Sequence, residues 1–590
     1  MDTPDKQNIP TNPLLDKLPP HLRQYIKPQN YAQYTAINQA VWRYVMRKNV
    51  AYLKKVAHGS YLEGLEKTGI STDAIPSMYG MNRILQDIGW AAVAVDGFIP
   101  PGAFMEFQAY NVLVIASDIR QLENMEYTPA PDIIHEGAGH APIIANPEYA
   151  EYLRRFGEIG CKAIASAKDH AIYEAVRKLS ILKESPNADK EEIEKTEAEV
   201  HRLQADDEAP SEMATIRNLH WWTVEYGLIG TLENPRIYGA GLLSSIGESK
   251  WCMTDEVKKL PYSIAAADQE FDITQPQPQL FVTPDFAYLS QVLEEFANTM
   301  ALRRGGPEGL QKLIDSKNLG TVELSTGLQI SGVFTKQVLE KDRVAYLQTT
   351  GPTALSYRNK ELVGHGTNTH AKGYGSALGK LKGINLAIED MSPRDLKAYK
   401  IYEGEEVLLE FEGGVTINGK IITGTRNLQG KIIMISFENC TVRQKGTVLF
   451  EPEWGRYDMA VGKRIASAFA GPADFNSFDL VDHETSASEA PKMTEAELKL
   501  DELYLAVRQY REGKTTKISL EDILTTLKTE YSQDWLLTLE IYELSLVKQW
   551  EGLVQATAKR LDELQLTLPK KAHLITDGIA LISKKPVAVN

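Results

Sequence analysis

Cysteine is the scarcest reactive side chain here: 590 residues carry three, Cys161, Cys252 and Cys440, far apart and in no short-spaced metal pattern. A disulfide framework is therefore not the basis of the fold, and a reducing, cytoplasmic setting is expected. Excess basic charge is missing too, since 64 Lys and Arg against 79 Asp and Glu leave a net charge of −15. No cationic stripe is available to neutralise phosphates, so neither nucleic acid nor an anionic membrane surface is an expected partner. Apolar runs fall short of the roughly 20 residues that span a bilayer. The start, Met-Asp-Thr-Pro-Asp-Lys-Gln, has no basic stretch leading into an apolar core, so a signal peptide is not expected. What is present is ordinary globular composition, 43% hydrophobic and 24% charged, in a chain long enough for about three domains.

Residues 1–30, rich in proline and polar side chains, read as an arm or loosely packed lead-in. From Tyr31 helical spacing begins, with Val41, Tyr44, Val45 and Leu53 on the apolar side. Residues 162–212 are strongly charged, but Ile172, Ala175, Leu179 and Leu182 fall at heptad spacing. Ile193, Thr196, Val200 and Leu203 repeat it after Ser185-Pro186-Asn187. The segment reads as an antiparallel helical hairpin projecting into solvent, with a partner or self-association surface as the alternative. Arg303-Arg304-Gly305-Gly306-Pro307 marks a boundary. Residues 320–475 then change character: Glu405 to Glu412, Val415 to Ile422 and Lys431 to Phe437 predict strands, punctuated by Gly413-Gly414 and Asn418-Gly419. After a polar linker at 483–493, Thr494 and Glu497 predict a capping box that opens a helical region over 494–590. Leu498, Leu500, Leu503, Tyr504 and Val507 supply its apolar stripe.

The chemistry concentrates in two places. Residues 131–140 read Pro-Asp-Ile-Ile-His-Glu-Gly-Ala-Gly-His, and 221–227 read Trp-Trp-Thr-Val-Glu-Tyr-Gly. His135, His140 and Glu225 offer two imidazoles and a carboxylate, a set that suits non-heme iron with open positions for oxygen. On an ideal helix, residues five apart point about 140° away from each other. Convergence of the two histidines therefore needs a helix end or a local irregularity, which Gly137 and Gly139 permit. Zinc peptidases space their histidines four apart, so a zinc hydrolase built on His135, Glu136 and His140 is the nearest competitor but out of register. Glu225 sits among Trp221, Trp222, Val224 and Tyr226, where a carboxylate needs a compensating cation. Asp132 is placed to orient the His135 ring or to pair with Arg120. A second pair, His365 and His370, is also five apart, but no Asp or Glu adjoins either. It reads as a polar loop rather than a metal site. Tyr238-Gly-Ala-Gly lacks the full dinucleotide fingerprint and reads as a tight turn beside the site.

These motifs fall in the order of a known family. Arg120, Tyr127-Thr-Pro-Ala-Pro-Asp-Ile-Ile-His-Glu136 with Gly139-His140, Trp222-Thr-Val-Glu225, and Tyr238-Gly-Ala-Gly-Leu-Leu-Ser-Ser-Ile-Gly-Glu248 are the matching segments. From about Tyr31 to Met300 the chain resembles the catalytic domain of the pterin-dependent aromatic amino acid hydroxylases, its phenylalanine-hydroxylating members above all. The resemblance implies an oxidoreductase, a monooxygenase of aromatic amino acid metabolism, with His135, His140 and Glu225 as catalytic ligands of Fe(II). It places tetrahydrobiopterin or a related reduced pterin around Gly97, Phe98, Ile99, Phe104 and Glu136. For the amino acid it implies Arg120 on the carboxylate, with Thr128 and Ser244 as hydroxyl partners, and Trp221 and Tyr226 along the ring. Apolar Ile273 in Phe271-Asp-Ile-Thr-Gln275 leans towards phenylalanine, converted to tyrosine with O2, with tyrosine or tryptophan hydroxylation as the alternatives. Pro100-Pro101 and His220 depart from residues common in the family. Homo-oligomer formation is left open, because the family's short tetramerisation tail is not evident.

The expected architecture is multidomain. A mainly α catalytic domain of the aromatic amino acid hydroxylase type spans 31–304, with the hairpin at 162–212 inserted in it. A mostly β domain over 320–475 and a helical carboxyl-terminal region follow, and for these two the sequence resembles nothing familiar. A binding or scaffold protein with a vestigial hydroxylase core, its function in the carboxyl half, is the third reading.

Overall fold

The computed structural model describes residues 12–95, 99–126, 131–184, 189–205, 209–272, 275–480 and 493–583. Helix α1 (Ala36–Val56) opens with a reciprocal cap, in which the Thr35 hydroxyl accepts from the Asn38 amide and the Asn38 side chain accepts from the Thr35 amide. Its Val41, Trp42, Val45, Met46 and Leu53 are fully buried. Beside it β1 (Ile26–Lys27), β2 (Ala91–Val95) and β3 (Val112–Ala116) form a small sheet in which β2 and β3 run parallel. Their unbroken apolar sequences, AAVAV and VLVIA, are those of strands covered on both faces. Where composition suggests a loose arm, residues 12–30 are packed: Leu18 and Leu22 are buried under this sheet and β1 pairs antiparallel with β2. Proline content forecast the irregular path but not the burial.

α2 (Ala167–Glu184) and α3 (Lys190–Gln204) form the hairpin, with Thr196 and Val200 buried and Lys178 paired across it to Glu192 at 2.9 Å. The turn at Ser185-Pro186-Asn187 lies outside the described residues. α4 (Glu212–His220) leads into the second motif. A four-stranded sheet follows, ordered β5–β4–β7–β6, from β4 (Leu228–Gly230), β5 (Pro235–Ile237), β6 (Lys258–Pro261) and β7 (Gln279–Thr283), with the short α5 (Ala240–Ser244) between β5 and β6.

The next region is β-rich, as the strand pattern predicts. One sheet runs β11–β10–β9–β8–β18, from β8 (Leu319–Leu324), β9 (Leu328–Glu340), β10 (Arg343–Tyr357), β11 (Lys360–Glu361) and β18 (Ile465–Ala470), with β12 (Gly375–Ala377) also on β10. The other runs β13–β14–β15–β16, from β13 (Glu406–Glu410), β14 (Val415–Arg426), β15 (Ile432–Gln444) and β16 (Thr447–Phe450), with β17 (Tyr457–Ala460) on β15. Gly414, at φ +73°, turns the chain between β13 and β14. Asn418-Gly419 does not turn it. The pair sits inside β14 at a register shift, and a Cβ at Gly419 would press on Cys440 of β15 at 3.0 to 3.3 Å.

At the carboxyl end come α6 (Glu495–Arg511), α7 (Leu520–Thr529), α8 (Leu536–Lys548), α9 (Glu551–Thr567) and α10 (Ala572–Ser583). The Thr494–Glu497 capping box is formed. Leu503, Tyr504 and Val507 are buried, whereas Leu498 faces solvent. These helices return to the amino-terminal half and share one apolar core with it, which is why α1 is buried on so many sides. Arg43 of α1 forms a two-pronged ion pair with Glu540 of α8 at 2.9 and 2.7 Å, and the Tyr44 hydroxyl donates to the Leu574 carbonyl at 2.6 Å. Among the described residues no helix is long and apolar enough to cross a membrane.

Candidate functional site

The spacing problem of the two histidines is solved by the backbone. His135–His140 is a π-helical turn, and the Ala141 amide bonds back five residues to the Glu136 carbonyl. The wider turn closed by i→i+5 hydrogen bonds brings residue i+5 much nearer in azimuth to residue i than an α-turn does, so His135 and His140 face the same side. The Trp221–Glu225 segment is a second π-helical turn, closed by the Tyr226 amide on the Trp221 carbonyl at 2.8 Å. Both turns pack against the glycine-rich stretch beside α5. A Cβ at Gly139 would stand 2.6 Å from the Ala240 carbonyl oxygen, and one at Gly239 would stand 2.5 Å from the Glu225 carbonyl oxygen. Glycine is thus required here for close approach rather than for a turn.

Three donor side chains converge. His135 Nε2 lies 3.3 Å from Glu225 Oε2, His140 Nε2 lies 3.2 Å from Glu225 Oε1, and the two Nε2 atoms are 3.3 Å apart. Metal bonds of about 2.1 Å put neighbouring donors about 3.0 Å apart in an octahedron and about 3.4 Å apart in a tetrahedron, so the triangle is of metal-binding size. The tautomer of His135 fits as well. Ser244 donates its hydroxyl hydrogen to the Ala240 carbonyl at 2.8 Å, so at 3.0 Å from His135 Nδ1 it accepts a hydrogen bond from that nitrogen. Nε2 is then the unprotonated nitrogen, its lone pair directed at the other donors. Burial pushes the Glu225 carboxyl up, but the adjoining His140 and His135 rings outweigh it and hold the group well below the usual range. Two imidazoles and one ionised carboxylate, with no thiolate, suit a first-row divalent ion with open positions.

Glu136 lies 3.9 Å from His140 Nε2, and burial pushes its carboxyl up to about 8. Burial thus favours its protonated form, which can donate a hydrogen bond. His220 Nδ1 is 4.0 Å from Glu225, and burial lowers its ring to about 4; its Nε2 and the Trp221 Nε1 are buried without a hydrogen-bond partner. Asp132 takes the second of its two expected roles. It grips Arg120 through Nε and Nη2 at 2.8 Å each, and also accepts from the His135 amide at 2.9 Å. Arg120 is thereby tied to the turn that carries the histidines, with Nη1 left to a long 3.5 Å contact on the Met125 carbonyl.

A cavity of about 360 Å³ opens on these groups. Arg120, His135, Glu136, Trp221, Glu225, Tyr226 and Ser244 all line it, as do Ile99 and Phe104. Trp221 is stacked between Phe271, at 4.3 Å and 9°, and Tyr226, at 4.5 Å and 26°, and the Tyr226 hydroxyl donates to Glu248 at 2.7 Å. Phe104 meets His220 edge-on at 5.8 Å. Gly97, Phe98, Thr128 and Ile273 lie outside the described residues.

Part of the wall is unforeseen. Ile172, Tyr173, Val176 and Arg177 of α2 line the same cavity, as does Arg217 of α4. The hairpin is therefore no solvated projection: α2 carries one apolar seam for α3 and a second, offset strip, Ile172-Tyr173-Val176, for the site. That second strip was the available signal. The β-rich region contributes no residue to this cavity.

Comparison with known proteins agrees with the geometry. The family model described as biopterin-dependent aromatic amino acid hydroxylase matches residues 23–182 and 193–304. The phenylalanine-4-hydroxylase of Pseudomonas aeruginosa is 28% identical over 278 residues, covering 46% of this chain and 89% of that protein. The Chromobacterium violaceum phenylalanine-4-hydroxylase is 27% identical over 276 residues, 44% of this chain and 78% of its own. A crystal structure of the Chromobacterium violaceum enzyme with bound iron(III) and 7,8-dihydrobiopterin aligns at 25% identity over 51% of this chain and 93% of that one, with a TM-score of 0.38. Over residues 23–182 and 193–304, a little under half of its length, this chain matches the biopterin-dependent aromatic amino acid hydroxylase family.

Proposed function

We propose that the amino-terminal half converts L-phenylalanine to L-tyrosine with dioxygen, using an iron ion held by His135, His140 and Glu225 and a reduced pterin. The observation that carries this reading is the donor triangle with sides of 3.2 to 3.3 Å, opening on a cavity with an aromatic wall. When bound, ferrous iron and reduced pterin would supply the electrons that dioxygen needs to react with a closed-shell ring. The protein's own residues do the rest. Trp221, stacked with Phe271 and Tyr226, belongs to an aromatic wall whose rings are fixed in place before an aromatic side chain arrives. Arg120 has its orientation set by Asp132 and keeps Nη1 for an amino acid carboxylate. Ser244 holds His135 in the ligating tautomer. Ile99, Phe104 and Glu136 border the part of the cavity assigned to the pterin, where the protonated Glu136 carboxyl can donate to a ring acceptor. Helix α2 closes the cavity side, limiting water around the reacting groups.

Phenylalanine is favoured over tyrosine or tryptophan by the named activity of the relatives and by apolar Ile273 in the sequence. An apolar pocket rejects an added hydroxyl only weakly, so the preference is one of degree. The zinc hydrolase reading loses support, because Glu225 stands closer to His140 than Glu136 does and completes a donor set of two imidazoles and a carboxylate without it. Protein purified without oxygen, loaded with Fe(II), and given reduced pterin, oxygen and phenylalanine should release tyrosine. Parallel reactions with tyrosine and tryptophan should be slower, and no product with iron confirmed bound would overturn the proposal.

A further inference from the structure

Outside the hydroxylase half the sequence repeats one device, a pair of histidines five residues apart. His365 and His370 lie in the loop between β11 and β12. That loop is pinned to β10: the Leu355 amide donates to the His365 carbonyl at 2.9 Å and the Thr353 amide to the His370 carbonyl at 3.1 Å. The two rings lie nearly parallel, 6.0 Å apart and inclined by 22°. The carboxylate that the local sequence lacks comes from Asp458 on β17, which is paired with β15 in the other sheet. Asp458 Oδ2 lies 3.4 Å from His365 Nδ1 and 3.7 Å from His370 Nε2. The Asp458 side chain is 1% exposed, and those of His365 and His370 are 11% and 10% exposed.

The polar atoms in this cluster are not satisfied by one another. His365 Nδ1 and His370 Nε2 are both buried and without a hydrogen-bond partner. Two separations of 3.4 and 3.7 Å are too long for good N–H···O bonds, yet close to the distance between donors that share a metal. Asp458 Oδ1 already accepts from the Ser436 hydroxyl at 2.5 Å, and Arg456 Nε lies 3.1 Å from Oδ1 and donates to Oδ2 at 3.3 Å. A carboxylate has about four lone-pair sites, so Oδ2 retains capacity for one more partner. Leaving two buried ring nitrogens unpaired costs about 1–3 kcal/mol each, and one cation at their meeting point would satisfy both.

We propose that His365, His370 and Asp458 form a second metal site, independent of the hydroxylase centre, for a first-row divalent ion of the zinc class. Two imidazoles and one carboxylate favour such an ion over Ca(II) or Mg(II), which take oxygen ligands. Three protein ligands leave a fourth position for water. Because the histidine loop is fastened to β10 and Asp458 belongs to the sheet of β15, the ion staples the two sheets together.

The test uses the full chain with the first centre silenced by His135→Ala and His140→Ala, freed of metal by chelation and titrated with Co(II) and with Zn(II). One equivalent per chain is expected by elemental analysis, with Co(II) giving the visible absorption of a low-coordinate N and O site and Zn(II) raising the melting temperature. His365→Ala with His370→Ala, added to that background, should weaken binding at least about a hundredfold and abolish both signals. His370→Gln, which preserves polarity and volume, should do the same while far-UV circular dichroism stays unchanged, so that loss of binding is separable from loss of fold. Absence of stoichiometric binding in the silenced chain, or equal binding by folded His370→Gln protein, would overturn the proposal.

Discussion

The Ser244 hydroxyl sits 3.0 Å from His135 Nδ1 while spending its own hydrogen on the Ala240 carbonyl, so it accepts from the imidazole and fixes which nitrogen faces Glu225. Ser244→Ala removes the acceptor without disturbing the π-turn backbone. His135 can then populate the tautomer whose proton points into the triangle. Groups that orient a ligating histidine typically change metal affinity by about 10–100-fold. We expect Fe(II) or Co(II) affinity to fall within that range, measured by competition with a chelator, and the melting temperature of the metal-free chain to move little. Unchanged affinity would mean that the hydroxyl serves only its carbonyl.

Val176 of α2 faces the cavity that holds the donor triangle, some distance in sequence from either motif. Val176→Trp should fill part of the roughly 360 Å³ while leaving the metal donors alone. Turnover should drop and KM for the amino acid or the pterin should rise, with bound iron still at one equivalent at the triad. A hairpin that merely projected into solvent would tolerate the change in full, since an exposed helix position accepts a large side chain within about 0.5 kcal/mol.

How far the sequence could be read follows from what each feature depends on. His135, His140, Glu225 and Arg120 were legible because their chemistry is unusual in combination, and the strands beginning near Glu406, Val415 and Ile432 because burial alternation is local. The convergence of the histidines was not, because a π-turn differs from an α-turn by one residue per repeat and leaves no mark in composition. Asp458 lies 88 residues beyond His370, so the second cluster became visible only through strand pairing in another sheet. The stripe of α6 announced that one face is covered, yet nothing in it says that the cover is α1. Asn418-Gly419 has the composition of a tight turn, and the cross-strand contact with Cys440 overrides it.

That shared core determines what truncation does. A chain ending near residue 305 retains every residue of the donor triangle but uncovers Tyr44, which meets Trp535 edge-on at 5.2 Å, and strands Arg43 without Glu540. His573 of α10 also pairs with Glu126, a cavity-lining residue, at 2.7 Å. Residues 1–305 should express as aggregating or partly unfolded protein, seen by size-exclusion chromatography and by loss of a cooperative melt. A chimera that joins residues 1–305 to 493–590 through a flexible linker should recover solubility and metal binding. A soluble, cooperatively melting 1–305 fragment would show that the carboxyl-terminal helices are dispensable for folding.

The same interface should carry a distinctive acid response. Burial raises the Glu540 carboxyl, but the Arg43 and Arg511 guanidiniums beside it prevail and bring it down to about 2. A depressed carboxyl contributes stability that is complete above its unfolded value of about 4.5 and is lost as pH falls towards 2. A shift of that size corresponds to about 3 kcal/mol. Asp534, two residues before α8, accepts from the Leu537 amide at 2.9 Å and has the opposite sign: burial pushes it up to about 6. Its contribution is complete below about 3.8 and is lost as pH rises through 6. Urea titrations of the full chain between pH 2.5 and 7 should therefore show Glu540→Gln flattening the low-pH limb and Asp534→Asn flattening the limb between pH 4 and 6. At neutral pH Glu540→Gln should also be less stable by about 3 kcal/mol, because it leaves Arg43 buried without its counter-charge and Arg511 with Glu543 alone. If both substitutions leave the pH profile unchanged, the acid sensitivity of the chain lies elsewhere and the docked helices are held by apolar contact alone.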